Sequence, residues 1–186
     1  MKKICDDSQK NGQRFLKRTM EKELKRCGWA NDELLINYHD NEYGKIKTDD
    51  HSLFEKLCLE GFQAGLSWRT VLIKRDSLRK AFYDFDIQKC ASLSDEYLLS
   101  LMQDDEIIKN KRKIFSVRNN AQRVLEVILE YESFFRFIYS FKEPNKLLLA
   151  FKKYHFSFVG ETICESFMQS IGIIEAHEPH CYLYHH

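Results

Sequence analysis

Residues 111 to 130 decide which class of fold this chain can adopt. Ile114, Val117, Ala121, Val124, Leu125 and Ile128 recur at the helical period, which predicts one long helix with a buried face. No run alternates convincingly at the two-residue period of a half-buried strand. Two prolines and seven glycines in 186 residues leave few points at which helices must break. The same reading predicts helices over 8–25, 51–61 and 68–82. Shorter ones are opened by Asp86 and capped by Ser94, and others span 132–141, start at Pro144 and cover 162–170. The expected fold is all-α, a compact bundle of roughly eight helices. The length suits one domain or two small lobes.

Composition bounds the function classes. Hydrophobic residues make up 44% and charged residues 31%, an ordinary balance for a soluble protein. The net charge of +1 hides local asymmetry: residues 1–26 carry nine Lys/Arg against four Asp/Glu, and residues 109–123 carry six with no acid. No apolar run fits a secretory signal or a membrane span, so a cytoplasmic location, no membrane partner and reduced thiols are expected for the six cysteines.

The stretch Cys58 to Trp68 concentrates the candidate chemistry. Leu53, Phe54, Leu57 and Cys58 give the preceding helix an apolar face. Gly61 and Gly65 are expected to bracket a turn, and Ser67 to cap the helix beginning at Trp68. Glu60 is a lone carboxylate in this apolar, aromatic setting, where burial without a partner is costly. The commoner meaning of such a residue is a helix cap or an ion pair with an arginine such as Arg69.

Two further groups stand out. Cys27 and His39 lie near the start of the body, and His177 and Cys181 near its end at i, i+4 spacing. Two Cys and two His make a closed tetrahedral shell for zinc, structural rather than catalytic, which would pin the C-terminus to the N-terminal part. Spacing alone leaves His180, His185 and His186 as rival ligands, and a core Cys with a surface His as the plainer reading. The second group is LMQDDEIIKNKRKI, residues 101–114, which fits two short helices around a tight turn at 106–110 followed by a basic helix. Backbone N–H groups at such a hairpin bind phosphate, and Lys109, Lys111, Arg112, Lys113 and Arg118 would add charge. A solvated basic face is the plainer reading of that run.

Taken together, RCGW (26–29), YHDNEYG (38–44), LFEKLCLEGFQAGLSWRTVL (53–72), IIKNKRKI (107–114) and FSFVGETICESFMQSIG (156–172) resemble one family. It is 3-methyladenine DNA glycosylase I, a zinc-containing branch of the helix-hairpin-helix DNA glycosylases. The resemblance covers roughly residues 25–182. It implies a glycosylase domain over 26–186 with a basic extension over 1–25. It implies a structural zinc held by Cys27, His39, His177 and Cys181. It also implies a base pocket of Glu60, Tyr38 and Trp68, with Glu60 as the catalytic candidate. Gln63, Gly65 and Leu66 would approach the gap left in the duplex, and Lys109, Lys111, Arg112 and Lys113 its backbone. The implied activity is hydrolysis of the N-glycosidic bond of alkylated adenine in double-stranded DNA by a monomer, leaving an abasic site.

Several positions depart from the family pattern. Glu106 stands where a hairpin glycine is usual, Tyr43 replaces a Trp, and Leu35 and Glu165 replace aromatics. The interval from Cys27 to His39 is one residue short. These departures motivate the alternative of a catalytically inactive zinc-stabilised module that binds damaged or abasic DNA. An open-site zinc hydrolase and a helical interaction domain without a DNA role are more distant alternatives.

Overall fold

The computed structural model describes residues 24–185. The expected helix over 8–25 falls almost wholly outside them, as does His186. The described residues form nine α-helices, two short 3-10 turns and no strand. The helices are α1 Glu33–Asn41, α2 Asp50–Gln63, α3 Trp68–Ala81, α4 Ile87–Ala91, α5 Asp95–Ser100, α6 Lys111–Tyr131, α7 Phe134–Tyr139, α8 Pro144–Lys153 and α9 Glu161–Ser170. An all-α bundle is what the periodicity predicts. The cap residues explain most helix starts: Asp32, Asp49, Ser67, Asp86, Ser94, Asn110 and Ser133 each accept a backbone N–H from the first turn.

Helix α2 is the hub, packing against α3, α6, α7 and α9. From Leu53 to Phe62 only Glu55 escapes full burial, so this helix is enclosed on nearly all sides. Gly61 does not break it, contrary to the expectation: α2 runs through to Gln63, and Gly61 lies against Phe158 instead. The turn is made by Gly65, at φ +78°, before Ser67 restarts the chain as α3. Two other boundaries also shift. The predicted 132–141 helix shortens to α7, because Glu132 turns left-handed (φ +66°) and Ser133 caps the new helix. The 101–110 segment holds a 3-10 turn at Leu101–Gln103 and an irregular stretch rather than a second short helix. Glu106 is not among the described residues with positive φ, so this backbone does not demand a glycine there.

The apolar interior divides in two. The large core gathers Phe54, Phe62, Phe82, Phe85, Phe134 and Phe137 with their neighbours. A smaller cluster of Leu35, Tyr38 and Leu72, flanked by Trp29, Tyr43 and Trp68, sits between α1 and α3. The segments around Gly44 and Gly172 meet beside this smaller cluster. Gly172, at φ +73°, places its Cα face so close to Gly44 that an added Cβ would lie 2.6 Å from the Gly44 carbonyl oxygen. Gly44 N–H in turn donates to the Ser170 carbonyl at 3.1 Å. Gly172→Ala is therefore expected to cost about 2–4 kcal/mol through left-handed strain plus overpacking. In a thermal melt this appears as a fall of roughly 5–15 °C. An unchanged melting temperature would mean that the two backbones separate freely.

Candidate active site and metal cluster

The cleft is built on one face of α2. Lys56, Glu60 and Gln63 follow each other at helical spacing and face α1, α3 and α9 rather than the large core. Tyr38 comes from α1 and Trp68 from the first position of α3, their ring centroids 5.1 Å apart. Trp29 and Tyr43 extend the aromatic wall, with Trp29 5.0 Å from Tyr43 and 6.1 Å from Tyr38. These four rings, with Glu60, Gln63, Leu35, Ser67, Arg69 and Ser166, enclose a cleft of about 410 Å³. That volume lies within the usual range for small-molecule pockets.

Glu60 forms part of the cleft wall and is only 2% exposed. Its partner is not Arg69, the arginine the sequence suggested. Arg69 pairs outward with Asp32 at 2.5 Å. Glu60 Oε1 instead takes Lys56 Nζ at 3.0 Å, one helical turn earlier on the same helix, and Oε2 accepts from Ser166 Oγ at 2.9 Å. Lys56 Nζ also donates to the Tyr38 hydroxyl and lies 3.8 Å from the centroid of the Trp68 ring. Burial pulls the Lys56 ammonium below the usual lysine range, and the Glu60 charge opposes that shift. Burial, reinforced by Glu60, pushes the Tyr38 phenol well up, so it stays protonated at neutral pH. The Trp68 indole Nε1 is buried with no hydrogen-bond partner among the described residues. Neither Lys56 nor Ser166 was singled out from the sequence. The signal for Lys56 was its i−4 spacing from Glu60; for Ser166 there was none.

The turn after α2 stands at the rim. Gln63 is half-buried, Gly65 is exposed and Leu66 is 40% exposed, an apolar side chain held out beside the cleft. The basic run divides. Lys109, Lys111 and Arg112 are exposed, Lys109 pairing with Asp105 and Arg112 lying 5.8 Å over the Phe158 ring. Lys113 departs from the expectation of a phosphate contact. It is buried, and its Nζ donates to the carbonyls of Phe62, at 2.8 Å, and Ala64. It thus caps the C-terminal end of α2, where the unpaired carbonyls favour a cation. Arg118 bonds to the Leu93 carbonyl and to Asp95. Glu165 is exposed on α9, one residue from Ser166.

The four residues named as zinc candidates come together. The ligand atoms of Cys27, His39, His177 and Cys181 all lie within 4.8 Å of one another, and all four residues are buried. Cys181 Sγ is 3.3 Å from His39 Nε2 and 3.7 Å from His177 Nδ1, and Cys27 Sγ is 3.6 Å from His177 Nδ1. Tetrahedral zinc with bonds of about 2.0–2.3 Å needs ligand–ligand edges of about 3.5 Å. The donor set and its spacing therefore fit that ion. The surroundings fit as well. His39 Nδ1 lies 2.8 Å from Asp40 Oδ1, which orients the ring, and Arg26 grips Asp40 at 2.7 Å. Glu178 N–H donates to Cys27 Sγ at 3.3 Å. Burial, with Cys181 adjacent, pushes the Cys27 thiol up to about 11, so a bound cation would have to displace its proton. Two of the rival ligands are elsewhere: His180 faces the Arg26 carbonyl and Glu178, and His185 is exposed.

Cleft and cluster share α1. Tyr38 faces the cleft and His39 the cluster, and Trp29 touches both rings. No described helix is long and apolar enough to cross a membrane.

The comparisons with known proteins agree with one another. The family model described as Methyladenine glycosylase matches residues 27–150 and 142–185. DNA-3-methyladenine glycosylase 1 of Escherichia coli (strain K12) is 41% identical, over 87% of this chain and 97% of its own length. A crystal structure of a 3-methyladenine DNA glycosylase I superposes with a TM-score of 0.83 at 39% identity, covering 87% of this chain and all of that one. The Staphylococcus aureus enzyme, in a structure concerned with 3-methyladenine recognition, gives 0.81 at 30% identity, covering 86% and 96%.

Proposed function

This chain belongs to the methyladenine glycosylase family, and on that basis we propose how its own residues carry out the reaction. It is a base-excision repair enzyme that removes 3-methyladenine from DNA by hydrolysing the N-glycosidic bond, leaving an abasic site. The observation that carries the reading is Glu60, buried at the wall of an aromatic cleft with both oxygens already held.

An intact duplex hides its bases, so the damaged nucleotide must be flipped out, at a cost of a few kcal/mol. The turn of Gln63, Gly65 and Leu66 supplies a rim to offset that cost: Leu66 is the apolar group that fills the vacated stack. Lys109, Lys111 and Arg112 attract the phosphate backbone near the N-terminus of α6, in the manner of a helix-hairpin-helix element. Lys113 contributes indirectly by anchoring the end of α2 that carries the rim.

Once in the cleft, the base stacks on Tyr38 and Trp68. A cationic ring gains from these π faces beyond simple area burial. Glu60 accepts from the exocyclic amine and ring edge, a charge-assisted contact in a water-poor site. Bond cleavage passes through an oxocarbenium-like sugar. A positively charged base leaves readily, so the cleft needs to recognise and orient more than to protonate. Among the described residues no lysine lines the cleft, which supports water rather than an amine as the nucleophile and a monofunctional reaction. The convergence of Glu60, Tyr38 and Trp68 in one cleft argues against an inactive binding module.

Zinc is assigned to Cys27, His39, His177 and Cys181, one per chain. A closed shell leaves no position for water, so its contribution is to tie the chain ends beneath the cleft. Residues 26–186 form the glycosylase domain, acting as a monomer, and 1–25 a basic extension.

The test is release of free bases from alkylated duplex DNA, resolved by chromatography. 3-Methyladenine should appear, with an abasic site left behind. Tight binding to abasic duplex without base release would favour the inactive module instead.

A further inference from the structure

Lys56 is a buried cation that base excision, as derived above, does not use. It is 4% exposed and does not line the cleft; it borders a separate void of about 30 Å³ behind Tyr38 and Trp68. Those two rings stand between its ammonium and any bound nucleotide, so it is badly placed to attack the sugar. Yet its single Nζ reaches three groups of the cleft wall. It holds Glu60 Oε1 at 3.0 Å, donates to the Tyr38 hydroxyl, and packs 3.8 Å from the Trp68 ring centroid. Burying an ammonium is expensive unless each of its donors finds a partner. A methionine would fill the same space without that cost, so packing does not explain why a lysine is here.

The geometry points to Lys56 as a positioning residue for base excision: one ammonium fixes the Glu60 carboxylate and the Tyr38 ring together, presetting the pocket before the base enters. Ser166 completes the arrangement from α9 by holding the other Glu60 oxygen at 2.9 Å. With one oxygen tied from behind the cleft and the other from its wall, the carboxylate plane cannot rotate, and its remaining lone pairs keep one direction. Such preorganisation matters because misplacing a recognition group by about 1 Å can cost on the order of 100-fold in rate. The inference rests on the glycosylase reading and adds to it a residue behind the pocket.

The test is a double-mutant cycle in single-turnover base release, with Lys56→Met, Glu60→Gln and the double variant, each checked for fold by circular dichroism. Lys56→Met is expected to slow release by roughly 10-fold or more while DNA affinity, which depends on remote phosphate contacts, stays within about 2-fold. In the Glu60→Gln background the same change should add less than about 2-fold, since Lys56 acts through Glu60. Lys56→Gln, which keeps a donor, should recover part of the rate. Wild-type release by Lys56→Met, or losses that multiply in the double variant, would overturn the inference. Failure of both Lys56 variants to fold would make Lys56 a folding residue and overturn it as well. Borohydride trapping on an abasic duplex should give no adduct, and an adduct lost in Lys56→Met would make this lysine a nucleophile instead. Absence of base release by the wild type would count against the glycosylase reading itself, a distinct result.

Discussion

Glu60→Gln should release 3-methyladenine roughly 10- to 100-fold more slowly than wild type, with the fold unchanged. The size follows from losing a charge-assisted hydrogen bond of about 1.5–3 kcal/mol in a buried site. Glutamine is nearly isosteric and still accepts through its carbonyl oxygen. It removes the negative charge and presents an NH₂ in place of one acceptor. That NH₂ meets either Lys56, donor against donor, or the Ser166 hydroxyl, which can turn to accept; in both orientations an acceptor for the incoming base is lost. Stability should fall while the fold is kept, because the substitution leaves the Lys56 ammonium buried without its counter-charge, a cost that the glutamine carbonyl and loss of the Lys56 proton limit. The measurement is single-turnover base release alongside a thermal melt. Wild-type rate in the variant would remove Glu60 from the mechanism. A lost rate together with a collapsed melt would leave Glu60 as a structural residue only.

Cys181→Ala should lose the zinc and, with it, much of the stability of the folded chain. Apparent zinc binding to a Cys/His shell is worth about 10–16 kcal/mol in small structural sites. The whole folding free energy of a domain is about 5–15 kcal/mol. Even if only about 5 kcal/mol of the binding energy appears as stability here, the melting temperature should drop by roughly 10–20 °C. Elemental analysis should find one zinc per chain in the wild type and almost none in the variant. Removing the metal with a chelator should lower the wild-type melt in the same way. The cleft should suffer too, since His39 belongs to the shell and Tyr38 precedes it on α1. A wild-type protein purified without metal, equally stable with chelator, would overturn the assignment.

Much of this architecture was legible along the chain because helices are specified locally. The apolar face of α6, the helix starts at Ser67, Asp86 and Ser94, and the start of α8 at Pro144 each depend on residues within one or two turns. Errors arose where a local signal met a tertiary constraint. Gly61 reads as a breaker, but α2 is so tightly enclosed that Phe158 packs where a side chain would be, and the helix continues. Lys113 reads as one more surface cation in a basic run. The register of α6 turns it inward onto the last carbonyls of α2.

The candidate site divides in the same way. Residue types and motif strings marked Glu60, Tyr38, Trp68 and the four Cys/His ligands, since these chemistries carry distinctive side chains. Their meeting was not a property of the sequence: Cys27 and His177 stand 150 residues apart and touch where the fold packs the segments of Gly44 and Gly172 closely together. The sequence by itself determined the helices and the kinds of groups available. Which cation neutralises Glu60 was decided by the tertiary structure alone. Arg69 and Lys56 are equally plausible by charge, but only the packed fold leaves one in water beside Asp32 and buries the other, and a buried charge must be paired where it lies.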